Sequence, residues 1–396
     1  MRRVALQPFS KSLWSTFLKA RLQQAALQLN AMANDNKENL FDKLKSVVAE
    51  FAPQAQAIDI QAFGSGNIND TFWVSWEDTE IRSFILQRIN HRVFSEPQLV
   101  MQNMRTYNDH VRDRLAKSPL DRRWELPQIL TTAQGLDYLQ TEDGEFWRSL
   151  SFIANSKSYD TITNPQQARE VGYALGTFHH LTSDLVPEKL VDTLQGFHIT
   201  PIYLQQYQQV VAKGRNTQTS PEITYCHKII EQHQKLAHLL EDAKSSGKLP
   251  LRVMHGDPKV NNILFDQETL LAVSIVDLDT VKSGLIHYDI GDCLRSGCNP
   301  AGEETRKWQD VRFDMDLCQE ILSGYRAIAN SFLTKTDEDY IYDAVRVITF
   351  ELGLRFFTDF LAGNIYFHVK YPEHNLLRSL VQFRLLESLE SQQLTK

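Results

Sequence analysis

The chain has 396 residues, 42% hydrophobic and 23% charged, with a net charge of −7; this is enough apolar material for two packed lobes and unlike a fibre or a disordered protein. No apolar run approaches the roughly 18 residues of a membrane span, and the acidic balance argues against a nucleic-acid partner, which needs a basic face. Cys226, Cys293, Cys298 and Cys318 lack metal-ligand spacing and are too sparse for a disulfide framework, so a reducing cytoplasm is the expected home.

Residues 1 to 31 carry Arg2, Arg3, Lys11, Lys19 and Arg21 with no acid, leaving −12 for the remainder. An acid-free, Arg-containing start is a feature of transit peptides, but no sharp apolar core or cleavage site accompanies it. Residues 1–45 are read as an extension outside the fold, with Met32 as an alternative start.

From about residue 46 to 154 the pattern predicts a first, nucleotide-binding lobe, rich in strands and with one helix. Ile58 to Phe63 leads into Gly64-Ser65-Gly66-Asn67-Ile68-Asn69-Asp70, and Thr71 to Trp76 leaves it as a β-favouring aromatic run. Glycine removes the side chain and permits positive φ, so backbone amides around Gly64, Ser65, Gly66 and Asn67 can approach a phosphate. Taken alone, the same residues make a plain hairpin.

The next strand, Ser83 to Ile89, presents Gln87 and Arg88 on opposite faces, where kinase-like folds place a phosphate-holding lysine. Either Arg88 supplies the charge, or Gln87 points inward and the phosphates depend more on magnesium. Ser95 with Gln98 reads as a capping box, with Pro97 in the first turn of a helix running toward Leu115. Gln102 on that helix is a candidate partner for the strand residue. Strands follow at Gln128 to Thr132, Tyr138 to Thr141 and Glu145 to Ile153, the last two joined by Glu142-Asp143-Gly144. Phe152-Ile153-Ala154-Asn155 falls where a hinge binds an adenine edge through its backbone, making Ile153 a nucleotide candidate.

Residues 155–396 are predicted as a mostly helical second lobe for catalysis and acceptor binding. Asn164-Pro165 caps a helix on which Ala168, Val171, Leu175, Phe178 and Leu181 recur at helical spacing. Adjacent residues on a helix point about 100° apart, so His179 and His180 read as packing or solvent groups rather than ligands.

The chemistry is concentrated in Met254-His255-Gly256-Asp257-Pro258-Lys259-Val260-Asn261-Asn262 and the later Val276-Asp277-Leu278-Asp279. Phosphoryl transfer runs through a loose transition state, so a protein mainly aims an acceptor hydroxyl and neutralises phosphate charge with magnesium. Asp257 is the candidate for orienting that hydroxyl and capturing its proton late. Asn262 and Asp277 offer the hard oxygens that magnesium prefers. His255 reads as a brace for the loop. Short apolar runs flank the loop, and Leu270 to Val276 reads as a buried strand delivering Asp277.

Further on, Asp289 is expected to brace the same loop, because a buried carboxylate must be hydrogen-bonded. Asp292 and Arg295, one helical turn apart, read as an ordinary surface pair. The helix from about Asp339 is apolar nearly all round, implying burial, yet carries Glu351, Arg355 and Asp359 at four-residue intervals. That row is either an internal salt-bridge ladder or a wall that hydrogen-bonds a polyhydroxylated acceptor.

Together, Phe63 to Val74, the block from Met254 to Arg295, Glu351 to Asp359 and Tyr371-Pro372-Glu373-His374-Asn375-Leu376 resemble the N-acetylhexosamine 1-kinases. These belong to the aminoglycoside phosphotransferase and choline kinase-like superfamily. The resemblance spans roughly residues 40 to 390, and the catalytic block alone identifies only the superfamily. It implies an α+β, bilobal, protein-kinase-like fold: a small antiparallel-sheet lobe with one main helix, then a larger helical lobe. It also implies ATP-dependent phosphorylation, with magnesium, of the anomeric hydroxyl of N-acetylglucosamine or N-acetylgalactosamine. By that resemblance Asp257 is the base, Asp277 lies at the metal and acceptor centre, and Arg355 and Tyr366 contact the sugar. Asp359 and Arg295 are further acceptor-contact candidates. Kinases of choline, homoserine or aminoglycosides share the block, and a catalytically silent nucleotide-binding module is the reading outside enzymes. Choline recognition uses aromatic cages, and Trp308 is the sole tryptophan beyond residue 150; retention of Asp257, Asn262 and Asp277 together argues against a silent module.

Overall fold

The computed structural model describes residues 37–392 apart from 56–57, 65–67, 78–80 and 215–218. Ser65, Gly66 and Asn67 of the expected phosphate loop, and most of the expected extension, lie outside the described residues. By internal contacts the chain forms two compact units: residues up to His91 with Ile129–Phe152, and Arg92–Gln128 with Ile153 onward.

The first unit is a helix on an antiparallel sheet. Helix α1 (Lys37–Phe51) precedes β1 (Asp59–Ala62), β2 (Asp70–Glu77) and β3 (Ile81–Ile89), and after an excursion come β4 (Ile129–Leu130), β5 (Leu139–Gln140) and β6 (Phe146–Ser151). The strand order is β1-β2-β3-β6-β4, with β5 also paired to β6. Alternation along the strands sends Val74, Phe84, Leu86 and Trp147 to one face, where they pack on Leu44, Val47 and Val48 of α1. Burying each such side chain stabilises the unit by about 1.5–3 kcal/mol. The helix therefore begins inside what the composition suggested was an extension, and buried Leu44 belongs to the core.

The second unit takes the helix after β3. Helix α2 (Pro97–Lys117) starts at Glu96, whose side chain makes no capping bond, so the Ser95–Gln98 capping box does not form; Pro97, lacking an N–H, sits in the first turn instead. It buries Val100, Met101, Met104, Tyr107 and Val111. Tyr107 stacks at 5.3 Å on Phe178 of α3 (Pro165–Thr182). These contacts place residues 92–128 with the helical unit, not with the lobe of 46–154 that the strand pattern suggested. Gln102 is exposed. Helix α3 is capped as expected, the Asn164 side chain accepting from the Gln167 N–H at 2.9 Å.

Helices α4 (Thr200–Ala212), α5 (Pro221–His233) and α6 (Leu239–Ser245) follow. The catalytic segment is framed by short strands: β8 (Arg252–Met254) pairs with β11 (Lys282–Gly284), while β9 (Ile263–Asp266) lies between β10 (Ala272–Ile275) and β7 (Ser156–Lys157). Helices α7 (Ile286–Gly297), α8 (Met315–Ala329), α9 (Ile341–Ala362) and α10 (His374–Glu390) complete the unit. Helix α9 is its axis: Phe350, Leu354 and Phe357 pack with Phe383 and Leu386 of α10 and with Ile229 and Ile230 of α5. All four cysteines are buried free thiols. Among the described residues, no helix is long and apolar enough to cross a membrane.

Candidate active site

The catalytic loop leaves β8 through Gly256, whose φ is +90°. A Cβ there would lie 2.8 Å from the Thr280 side chain, so glycine is required for space as well as for conformation. Thr280 Oγ1 donates to the His255 carbonyl at 2.8 Å. Asp289, in the first turn of α7, accepts the backbone N–H of His255 at 2.6 Å and of Gly256 at 2.8 Å. His179 Nε2 completes the set at 2.9 Å, and its Nδ1 meets Tyr325 Oη at 3.0 Å. Burial by itself raises the Asp289 pKa, but His179 and the loop N–H groups hold it below the usual carboxylate range. Asp289 thus braces the loop as expected, and His179 is a buried partner of that brace.

His255 accepts the Asp257 N–H at Nδ1 (3.2 Å) and faces the Val276 carbonyl with Nε2 (3.1 Å). One nitrogen accepts and the other donates, so the ring is the neutral Nε2–H tautomer. Burial lowers its pKa in the same direction. His255 ties the loop to the segment carrying Asp277, a structural role.

Asp257 remains partly exposed. Asn262 Nδ2 donates to the Asp257 carbonyl at 2.8 Å and reaches its carboxylate at 3.3 Å, which ties the amide to the catalytic-loop aspartate. The Val276 N–H donates to the Asn262 carbonyl at 2.8 Å, bringing the end of β10 beside the loop. The next residue, Asp277, has φ 67° and ψ 58°, a left-handed conformation that Asp tolerates better than most residues. Lys259, which the spacing argument passed over, places Nζ 2.5 Å from Asp257 Oδ2. Burial opposes its charge, yet Asp257 and then Asp277 outweigh that and raise its pKa above the ordinary lysine value. Both carboxylates favour the charge of this one cation.

Among the described residues no group of three or more His, Cys, Asp or Glu side chains is gathered to hold a metal ion. The oxygens of Asn262 and Asp277, in a cluster negative enough to hold an ammonium, nevertheless fit magnesium, which takes one or two protein carboxylates and completes its shell with water and substrate phosphates.

His198 links the loop to α9. Its Nδ1 lies 2.8 Å from Glu351 Oε1 and its Nε2 2.6 Å from the Gly256 carbonyl. Both partners accept, so both nitrogens carry protons. Burial disfavours that charge, but Glu351 raises the His198 pKa above its ordinary value. Thr200 Oγ1 donates to the other Glu351 oxygen at 2.6 Å. No sequence signal marked His198; its role depends on contacts to residues distant along the chain.

The row Glu351, Arg355, Asp359 is neither a ladder nor a continuous wall. Arg355 lies 3.9 Å from Glu351, and its guanidinium sits over the rings of Phe197 (5.2 Å), Tyr203 (4.8 Å), Phe367 (5.4 Å) and Tyr366 (6.0 Å). Tyr366 is half exposed. Asp359 instead accepts the backbone N–H groups of Ile365, Tyr366 and Phe367 and the Asn375 amide, so its oxygens brace the loop that carries Tyr366. Arg295 donates to Asp292 at 2.8 Å and to Glu303 at 3.2 Å. Both Asp292 and Arg295 are buried, which corrects the surface-pair reading.

In the first unit, Gly64 has φ +78°, a left-handed conformation that favours glycine. Arg88 pairs with Asp70 and, at 2.5 Å, with Glu145, on the face shared with Trp147. Gln87 lies on the opposite face, accepting from Arg148 Nε at 2.9 Å and donating to Thr71 Oγ1 at 3.0 Å. Ile153 opens the second unit, buried, with its carbonyl taking the Ser156 hydroxyl at 2.6 Å. A hollow of about 570 Å³ lined by Ile223, Trp308, Phe360 and Leu376 lies elsewhere in the second unit and contains none of the catalytic-loop residues.

An antiparallel-sheet unit, a larger helical unit and an Asp-Asn-Asp loop braced in this way define a kinase-like α+β phosphotransferase. The chain belongs to the phosphotransferase enzyme family, whose model matches residues 59–321. Solved structures share its fold. A microcompartment-associated aminopropanol kinase is 15% identical with TM-score 0.58, over 87% of this chain and 97% of that one. The Plasmodium vivax ethanolamine kinase is 12% identical with TM-score 0.58, over 93% and 96%. An amicoumacin kinase in complex with AMP-PNP, Ca2+ and its ligand is 13% identical with TM-score 0.51, over 88% and 93%.

Proposed function

We propose that this phosphotransferase is an ATP-dependent kinase that phosphorylates the anomeric hydroxyl of an N-acetylhexosamine, giving the sugar 1-phosphate. The observation carrying the acceptor class is Arg355. The rings gathered around it, Phe197, Tyr203, Tyr366 and Phe367, are the material of an aromatic cation cage, and the chain fills that cage with its own guanidinium. A choline or ethanolamine ammonium would meet a like charge there. Aminoglycosides need free carboxylates, but Glu351 is bonded to His198 and Thr200, Asp292 and Glu303 to Arg295, and Asp359 to backbone N–H groups. A neutral polyol with an acetamido carbonyl suits an arginine donor framed by aromatic faces, as the resemblance to hexosamine kinases implies.

Asp257 accepts the hydrogen bond of the acceptor hydroxyl and takes its proton late, when bond formation has made the oxygen acidic. Asn262 and Asp277 would hold magnesium, which when bound neutralises the phosphate oxygens. Lys259 adds a positive charge beside Asp257 for the transferring group. The amicoumacin kinase, solved with AMP-PNP and Ca2+, lends support for nucleotide and divalent ion in this fold. A panel assay of ATP consumption with N-acetylglucosamine, N-acetylgalactosamine, choline, ethanolamine, homoserine and kanamycin tests the reading. Turnover concentrated on the N-acetylated sugars is expected; turnover on an amine in their place would overturn it.

A further inference from the structure

Gly256 precedes the proposed base, and two buried groups of opposite charge hold it from either side. Asp289 takes its N–H at 2.8 Å, and His198 Nε2 lies 2.6 Å from its carbonyl. That carbonyl belongs to the planar peptide joining Gly256 to Asp257, so the bond from His198 fixes the orientation in which the chain enters Asp257. A neutral imidazole has one N–H, yet His198 meets an acceptor at each nitrogen, the other being Glu351 Oε1 at 2.8 Å. Only the imidazolium satisfies both. The backbone is bent to bring the ring there: His198 has φ +59°, a left-handed conformation that disfavours residues with a Cβ and persists only where the surroundings impose it. They do so on both sides, the Ile199 N–H donating to the Gly196 carbonyl at 3.1 Å and Lys282 Nζ to the Phe197 carbonyl at 3.1 Å. The residue is buried, with its ring stacked on Tyr288 at 5.3 Å.

We infer that His198 is a positioning residue for phosphoryl transfer: as an imidazolium between Glu351 and Gly256 it sets the peptide that carries Asp257, and its deprotonation slackens the proposed base. Strain stored at a buried, doubly bonded imidazole is what a site that needs a fixed geometry retains. The charged and titratable groups facing it are Glu351 and Arg355 from α9 and Asp292 and Tyr288 from α7, with Tyr203 of α4 against its backbone. Burial lowers its pKa and Arg355 adds to that, but Glu351 and the Gly256 carbonyl outweigh them. When the proton leaves, one nitrogen presents a lone pair to an oxygen, either the Gly256 carbonyl or the carboxylate that anchors the ring. Each loss breaks the link between α9 and the loop. Asp289, with its pKa depressed, stays ionised meanwhile, so rising pH releases only the His198 side of Gly256.

This inference rests on the reading of the chain as an ATP-dependent kinase, and a pH profile separates the two. Full-length wild type, His198→Gln and Glu351→Gln are assayed for kcat from about pH 6 to pH 9, with saturating magnesium-ATP and the acceptor turned over in the panel assay, at a temperature where circular dichroism shows each folded. Wild-type kcat should be level at low pH and fall roughly 10- to 100-fold as pH rises through the folded His198 value. Glu351→Gln keeps an acceptor for Nδ1 but removes the countercharge, so its fall should begin about one pH unit lower. His198→Gln should be slow throughout and lack that fall. Nitrogen NMR of the assigned His198 ring in the wild type needs no variant, and its titration should coincide with the fall in kcat. A kcat that ignores the ring's titration, or a fall unmoved in Glu351→Gln, would overturn the inference while leaving the kinase reading intact. Turnover of no acceptor at any pH would instead remove the kinase reading, and this inference with it.

Discussion

Lys259 holds its ammonium 2.5 Å from the carboxylate of Asp257, so the residue proposed to receive the acceptor's hydrogen bond is already matched to a cation. The two side chains have separable tasks. Asp257→Asn keeps the shape and removes the proton acceptor, so kcat should fall by roughly 10²- to 10⁴-fold while ATP still binds. Lys259→Met should cost kcat about 10²-fold through lost charge stabilisation. Steady-state kinetics with parallel ATP titrations check both. Asp257→Asn at the wild-type rate would remove Asp257 from the chemistry.

Arg355 and Asp359 are one turn apart on α9 but should fail differently. Arg355→Ala removes a charged donor from the aromatic cluster, raising the sugar KM roughly 10- to 100-fold with the ATP KM nearly unchanged. Asp359→Ala leaves the N–H groups of Ile365, Tyr366 and Phe367 without their acceptor, so it should lower Tm as well as sugar affinity. Equal effects of Arg355→Ala on the two substrates would identify Arg355 as a structural residue.

The Asp289 carboxylate carries two loop N–H groups and His179. Asp289→Ala orphans all of them inside the fold, a loss of about 3–5 kcal/mol by analogy with breaking a buried charged pair. Because the folded-state pKa is depressed, the stabilisation is complete above the unfolded value of about 3.9 and disappears as pH falls through the lower folded value. Urea unfolding of the variant at neutral pH measures the loss. A cost below about 1 kcal/mol would mean the loop does not depend on this brace.

His198 titrates with the opposite sign. Its pKa is raised when folded, so its link between Glu351 and Gly256 is fully stabilising below the unfolded value of about 6.5 and weakens as pH rises through the folded value. The stability difference between wild type and His198→Gln, followed from about pH 6 to pH 9, should shrink with rising pH. A constant difference would show that His198 is not held as the imidazolium.

What the sequence discloses depends on how local the contact is. Asp257, Asn262 and His255 lie within one loop whose hydrogen bonds span a few residues, and the spacing alone announces them. Asp289 was legible because its buried charge required partners. Arg148 and Gln87 are 61 positions apart and meet only through strand register, while His198 reaches Glu351 across 153 positions. Helical spacing suggested that Asp359 would join Arg355, but Gly363, at φ +99°, ends α9 and turns the following backbone N–H groups onto Asp359. Asp292 and Arg295 looked like a surface pair because α7 carries polar groups on a helix that the surrounding core buries almost entirely.

Phosphorus NMR of the reaction with ATP, magnesium and N-acetylglucosamine or N-acetylgalactosamine tests the central claim most directly. A new phosphate resonance coupled to the anomeric proton, lost in Asp257→Asn, is the expected result. Phosphate appearing at any other hydroxyl, or an ATP spectrum unchanged with either sugar but converted to that of ADP with choline or kanamycin, would contradict it.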